Sequence, residues 1–144
     1  LWLSPTGGRL PSVSMLRLSA RTDEATARIL AARSWALDRM AVSYHRFVEA
    51  FSPLETEPGD HGETASFVGR ALLIHEFRRI VLHDPNLPAR ILPADWPGTE
   101  ARALCGRLYH RLLAASERWL DEAGRTEIGA LPPPGPELRR RFHS

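Results

Sequence analysis

Apolar residues recur at helical spacing over much of the chain. Between Trp35 and Phe51 they fall on one face at 100° per residue, and this face consists of Leu37, Met40, Ala41, Tyr44, Phe47, Val48 and Phe51. Charged and polar residues occupy the opposite face: Asp38, Arg39, His45, Arg46 and Glu49. The pattern predicts an amphipathic helix that buries one side, and we expect Ser52-Pro53 to end it.

The same periodicity predicts two more long helices. One runs from about Glu63 to His83, and the other runs from about Thr99 to Ala123 with Gly124 just past its end, where glycine is common. The apolar stripe of the second consists of Ala101, Leu104, Cys105, Leu108, Leu112, Ala115 and Trp119. Together these helices predict a mostly α-helical domain over residues 34–126.

The first part of the chain has a different pattern. Two short apolar segments, Leu1–Leu3 and Val13–Ala20, read as strands, and a helix is predicted over Arg21–Ala32 with Thr22 as its N-cap. Two strands and one helix cannot cover both faces of a sheet. We therefore predict that residues 1–33 are the end of a mixed α+β domain and that the chain is a fragment. At the other end, proline and arginine dominate residues 127–144, which we predict to be a disordered tail.

One arginine interrupts the pattern of the helix predicted from Glu63. On a helical wheel, Arg78 projects into an apolar arc, with His75 at its border; the arc consists of Phe67, Ala71, Ile74, Val81 and Leu82. A buried arginine must be paired. Either an aspartate of the following loop, Asp84 or Asp95, meets Arg78, or an anionic ligand does. Both interpretations remain open.

The loop Leu82–Gly98 is stiff, because four prolines restrict its backbone: Pro85, Pro88, Pro93 and Pro97. Trp96 in this loop is either a core residue or a stacking platform for a flat ligand. Tyr44 is central on its apolar face, and its hydroxyl needs a partner. The candidate cluster, which forms either a structural clasp or an effector site, therefore consists of His75, Arg78, Arg79, Asp84, Asp95, Trp96 and Tyr44.

Composition excludes several classes of protein. All 19 basic residues are arginine, yet the net charge is only +2, too small to argue for nucleic-acid binding by itself. Cys105, the single cysteine, excludes an internal disulfide and a cysteine-based zinc site. His75-Glu76 lacks the second histidine of a metalloprotease helix, because Arg79 stands there. No nucleophile with a base stands out, so we predict neither an enzyme nor a metal. No apolar run is long enough for a membrane span.

The stretch ALLIHEFRRIVLHDPNLPARILPADWPGTEARALCGRLY, from Ala71 to Tyr109, combines a His-Glu-Phe-Arg-Arg helix with Asp-Pro-Asn-Leu-Pro and Leu-Pro-Ala-Asp-Trp-Pro-Gly. In this combination it resembles the C-terminal domain of PaaX-type transcriptional regulators, which repress phenylacetic acid degradation genes in bacteria. ARSWALDRMAVSYHRFVEAFSPL looks like the segment that leads into that domain. LWLSP and SMLRLSA are similar to strands of the family's central ferredoxin-like, Cas2-like domain, so the resemblance covers roughly residues 1–125.

The resemblance implies a cytoplasmic repressor with an N-terminal winged helix that binds operator DNA, a central domain and this helical domain. The winged helix is not in the chain, so DNA contact is expected only through that other domain. The resemblance also implies an aryl-coenzyme A thioester, phenylacetyl-CoA, as effector, but it gives no firm ligand residues. We expect the chain to form a homodimer. We expect an effector-sensing and oligomerisation portion; a purely structural helical dimerisation domain without a ligand is the alternative.

Overall fold

Helices make up most of the chain in a computed structural model that describes residues 21–56, 62–127 and 129–142. The strands predicted at Leu1–Leu3 and Val13–Ala20 lie outside these residues, and with them most of the ferredoxin-like segment predicted over residues 1–33. The mostly helical class is confirmed. The domain boundaries after residues 33 and 126 stay predictions.

Six helices of very different length follow one another along the described residues. They are α1 (Glu24–Ser34), α2 (Leu37–Phe51), α3 (Pro53–Thr56), α4 (Glu63–Val81), α5 (Gly98–Ala123) and α6 (Pro136–Arg140), with a 3₁₀ turn at Ala89–Ile91 between α4 and α5. The long helices agree with the predicted ones to within two residues at each end. For α1 the N-cap is Asp23 rather than Thr22, because the Asp23 carboxylate accepts a hydrogen bond from the Thr26 amide at 2.9 Å.

The core forms where α2 and α4 pack on α5, and α4 and α5 make the most extensive contact. The buried cluster there consists of Tyr44, Phe47, Leu73, Phe77, Ala101, Leu104, Cys105, Leu108 and Tyr109. α5 buries a wide face because it serves both neighbours. The apolar stripes predicted for α2 and α5 supply most of this core.

The orientation of α4 differs from the prediction. Its buried residues are Ser66, Arg70, Leu73 and Phe77, whereas Arg78 is exposed. This face lies roughly 100°, one residue step, from the predicted apolar arc. The wheel misled because α4 buries two polar residues and leaves Val68, Leu72 and Leu82 at the surface. Arg78 is therefore no buried charge.

The proline-rich loop packs against the beginning of the bundle. Leu87 is buried with Ala31, Leu37 and Met40 in a second apolar cluster. Trp96 packs against both this cluster and the main core. As predicted, the loop has apolar contacts of its own, and they fix how α4 is joined to α5.

Near the end of the chain, residues 129–142 contact the bundle, and the disorder predicted for residues 127–144 stays a prediction. Arg125–Thr126 (β1) pairs antiparallel with Gly129–Ala130 (β2), and α6 follows. The Tyr109 hydroxyl donates to the Leu138 carbonyl at 3.0 Å, and the Phe142 ring lies 5.2 Å from the Tyr109 ring. One aromatic side chain and one backbone carbonyl thus connect this proline-rich segment to the bundle.

Candidate functional site

The residues of the predicted cluster lie in three places. Tyr44, Asp84 and Trp96 meet at one end of the bundle, where α2, the loop and α5 join. Arg79 lies on the other side of α2, in a cleft between α2 and α4. The remaining three, His75, Arg78 and Asp95, are exposed and belong to neither group.

Tyr44 and Asp84 form a closed polar contact. The Tyr44 side chain is 1% exposed, and its hydroxyl donates a 2.5 Å hydrogen bond to Asp84 Oδ2. The other carboxylate oxygen of Asp84 accepts from the Asn86 amide at 2.7 Å. Burial, and then the bond to Asp84, raise the pKa of Tyr44. The hydroxyl therefore stays a donor, and α2 is tied to the loop 40 residues later.

Trp96 completes this arrangement, which we call the clasp: Tyr44, Asp84 and Trp96. The two rings meet edge to face, with centroids 5.8 Å apart. A Cβ atom on Gly98 would come within 2.5 Å of the Trp96 indole nitrogen, so only glycine fits there. The hollow beside the clasp measures about 180 Å³, below the range of about 300–1,000 Å³ usual for ligand sites.

The predicted pairing of Arg78 with a loop aspartate does not form. The Asp84 carboxylate accepts hydrogen bonds from the Tyr44 hydroxyl and the Asn86 amide instead, and Asp95 is exposed. Arg78 lies on the outer surface of α4, where a charge needs no protein partner. His75 is also solvent-facing, with 67% of its side chain exposed. A ligand role for these three residues stays a prediction.

Sequence reasoning missed a buried ion pair between α4 and α5. Arg70 Nη2 lies 2.6 Å from Glu117 Oε1, with side chains 9% and 22% exposed. The Arg70 guanidinium carbon also lies 5.8 Å from the centre of the Tyr109 ring, as in a cation–π contact. The rule that an arginine on a buried face must be paired is therefore obeyed by Arg70. The signal was the spacing of Ser66, Leu73 and Phe77 around it.

Sequence reasoning also missed most of the α2–α4 cleft, an open groove of about 790 Å³. Its floor is apolar: Met40, Phe47, Phe51 and Ile80. Its rim is cationic: Arg39, Arg46 and Arg79, with His83 at one end. The available signal was that Arg39 and Arg46, seven residues apart, border the apolar stripe of α2 on the same side.

The remaining chemistry of the described part of the chain is structural. Cys105 is fully buried, and burial raises the pKa of its thiol to about 12, so it is a core residue, as predicted. Over residues 21–56, 62–127 and 129–142 there is no group of three or more acidic, histidine or cysteine side chains that could hold a metal ion. No helix in the same ranges is long and apolar enough to cross a membrane.

A family model described as "PaaX-like protein C-terminal domain" matches residues 35–122. The chain belongs to the PaaX-like family. The match covers α2 to α5, and so both the clasp and the cleft are parts of the PaaX-like domain, whereas α1 and the C-terminal segment lie outside it.

A relative with a known role supports the same membership. The transcriptional repressor PaaX of Escherichia coli (strain K12) is 38% identical over 135 residues, which is 91% of this chain and 40% of the repressor. The chain thus spans about two fifths of the length of that relative. That relative is a transcriptional repressor, not an enzyme.

Proposed function

We propose that this chain is the effector-sensing and oligomerisation portion of a bacterial transcriptional repressor of phenylacetate catabolism, and that it responds to an aryl-CoA thioester. The observation that carries the proposal is the 38% identity to the repressor PaaX over 91% of the chain. Operator DNA is contacted by a winged helix elsewhere in the intact protein, in the cytoplasm. The effector is the small molecule that this portion binds.

The bundle suits a sensor because it combines a rigid and an open region. The clasp ties α2 to the loop, and the Arg70–Glu117 pair ties α4 to α5. The cleft between α2 and α4 stays open to solvent. An effector can release DNA only as far as it binds one state of the repressor more tightly than the other. A fixed bundle transmits such a preference to neighbouring domains.

Calorimetry on the intact protein tests this function, with phenylacetyl-CoA and free coenzyme A as titrants and operator release as the second measurement. We expect the thioester to bind more tightly than coenzyme A and to release DNA. A repressor that keeps its DNA at saturating thioester would contradict the proposal.

The second candidate is a helical dimerisation domain without a ligand. It is favoured by large apolar side chains at the surface of the described helices and just after α4: Ile29, Leu30, Val42, Val68, Leu72 and Leu82. Sedimentation velocity over a range of concentrations separates the two. A dimer whose association and DNA affinity ignore both coenzyme A compounds supports this candidate, and a dimer that responds to the thioester supports the sensor.

A further inference from the structure

The floor of the α2–α4 cleft has the size and chemistry of a small-molecule site. Its volume of about 790 Å³ compares with about 180 and 310 Å³ for two other hollows of the bundle. Such a volume is within the range usual for drug-sized ligands. The rings of Phe47 and Phe51 are tilted by 37° with centroids 4.8 Å apart; Phe47 is buried in the core, and Phe51 is the partly exposed aromatic side chain of the floor. An apolar, flat or acyl group would gain contact area there.

The rim of the cleft carries an excess of positive charge. Arg39 and Arg46 line it from α2, and no hydrogen bond or ion pair within the described ranges engages either guanidinium. Arg79 lines it from α4, and its carboxylate partner there is Glu76, at 3.0 Å. Three guanidinium groups thus face one carboxylate. Guanidinium groups bind phosphate oxygens through paired hydrogen bonds.

The spacing of the rim groups indicates an extended ligand. Arg39 and Arg46 lie two helical turns apart, roughly 10 Å along α2. Trp35, just before α2, and His83, just after α4, also line the cleft. A compact anion such as inorganic phosphate would use the guanidinium groups but leave the apolar floor uncovered.

We infer that the α2–α4 cleft binds an amphipathic organic anion, in which an aromatic or acyl group is joined to phosphates. The apolar group lies on the partly exposed side chains of Phe51 and Ile80, and Arg39, Arg46 and Arg79 hold the phosphates. The inference rests on the proposed function, because it assigns the site at which the thioester effector is sensed. The effector site proposed in this way includes neither the clasp residues nor Arg78.

Single substitutions in the intact protein test the inference, with phenylacetyl-CoA as the probe in calorimetry. We expect Arg39→Ala and Arg46→Ala each to weaken binding about tenfold or more, since a charge-assisted hydrogen bond is lost. Arg78→Ala is the matched control: it removes the same charge from an exposed position on α4 that does not line the cleft. Its affinity should remain within about twofold of the wild type.

Tryptophan fluorescence locates the ligand independently of affinity. Trp35 lines the cleft, whereas Trp119 stacks on Phe67 at 4.1 Å and is not part of it. Phenylacetyl-CoA should change the emission of the wild type, and Trp35→Phe should abolish most of that change while calorimetry still detects binding. An unchanged signal in Trp35→Phe would place the ligand elsewhere.

The outcomes separate this inference from the proposed function. If the thioester releases DNA from the wild type and equally from Arg39→Ala and Arg46→Ala, the cleft is not the binding site, and the sensor function is still supported. If the thioester binds in an arginine-dependent way but leaves DNA bound, the cleft stands and the sensor function is wrong. If phenylacetyl-CoA does not bind at all, or if a dimer forms over the cleft and excludes it, the inference is overturned.

Discussion

The α4–α5 contact and the α2–α4 cleft use arginine in opposite ways. In the contact, Arg70 is buried, meets Glu117 at 2.6 Å and lies over the Tyr109 ring. In the cleft, Arg39 and Arg46 stand exposed beside an apolar floor, and no carboxylate of the described ranges pairs with them. The protein pairs the first arginine with a carboxylate of its own and leaves the other two in contact with solvent.

This difference separates structure from binding. A buried charge without a partner destabilises the folded state. The folded state therefore requires that Arg70 keep its carboxylate partner, Glu117. Exposed charges around an apolar floor cost the folded state little and remain available to a ligand. If the comparison is right, substitutions in the contact should change the stability of the protein, and substitutions in the cleft should change its binding.

The largest expected effect is on the buried pair. Glu117→Ala should lower the free energy of unfolding by about 3 kcal/mol, because it leaves Arg70 buried without its carboxylate. Urea unfolding measures this loss. The matched control is the double variant Arg70→Met/Glu117→Leu, which removes both charges and should recover most of the stability. A double variant as unstable as Glu117→Ala would show that packing rather than charge is responsible.

The clasp gives a second, smaller effect of the same kind. Tyr44→Phe keeps the ring against Trp96 but removes the donor to Asp84, so the free energy of unfolding should fall by about 1.5–3 kcal/mol. Thermal and urea unfolding measure the change, and the affinity for phenylacetyl-CoA should stay within about twofold of the wild type. A large loss of ligand affinity with normal stability would instead make the clasp part of the site.

Alkaline pH reveals the same hydroxyl. Below pH 10, the usual pKa of tyrosine, Tyr44 is protonated in both the folded and the unfolded chain. Above it the unfolded chain loses the proton first, because the folded pKa is raised, and stability falls by up to about 1.4 kcal/mol per pH unit. Tyr44→Phe should unfold with a shallower pH dependence between pH 10 and 11. The pKa values of Cys105 and Tyr109 are also raised, so the free energy of unfolding should still fall with pH in both the wild type and Tyr44→Phe. Identical slopes in the two proteins would contradict the assignment of the effect to the Tyr44 hydroxyl.

Helix boundaries and the core of α2 and α5 could be predicted from the sequence, since their apolar stripes are continuous. The orientation of α4 could not. Its buried face includes Ser66 and Arg70, while Leu72 and Leu82 are exposed, Leu82 by 70%. Hydrophobicity alone therefore places the buried face of α4 one residue away from the observed one. Arg70 can be buried because it pairs with Glu117 of α5, and the sequence of α4 does not contain that information.

The predicted cluster included Tyr44, Asp84 and Trp96, but Asp84 was expected to pair with Arg78, and no partner was named for the Tyr44 hydroxyl. The structure joins Tyr44 to Asp84 and Trp96 instead. The cleft was missed because its two sides come from helices that are far apart in sequence. Arg39 and Arg46 belong to an ordinary polar face until α4 is placed beside them with Arg79 and Ile80.

The smallest expected effect on stability completes the comparison. Arg39→Ala and Arg46→Ala should each change the free energy of unfolding by no more than about 0.5 kcal/mol, as exposed unpaired side chains do. Arg46→Ala has one reason to be slightly stabilising, since it reduces repulsion among the three guanidinium groups of the rim. Urea unfolding at low and at high salt measures this, because salt should remove any gain. A loss of 2 kcal/mol or more would mean that the rim holds the helices together, and the distinction between the contact and the cleft would fail.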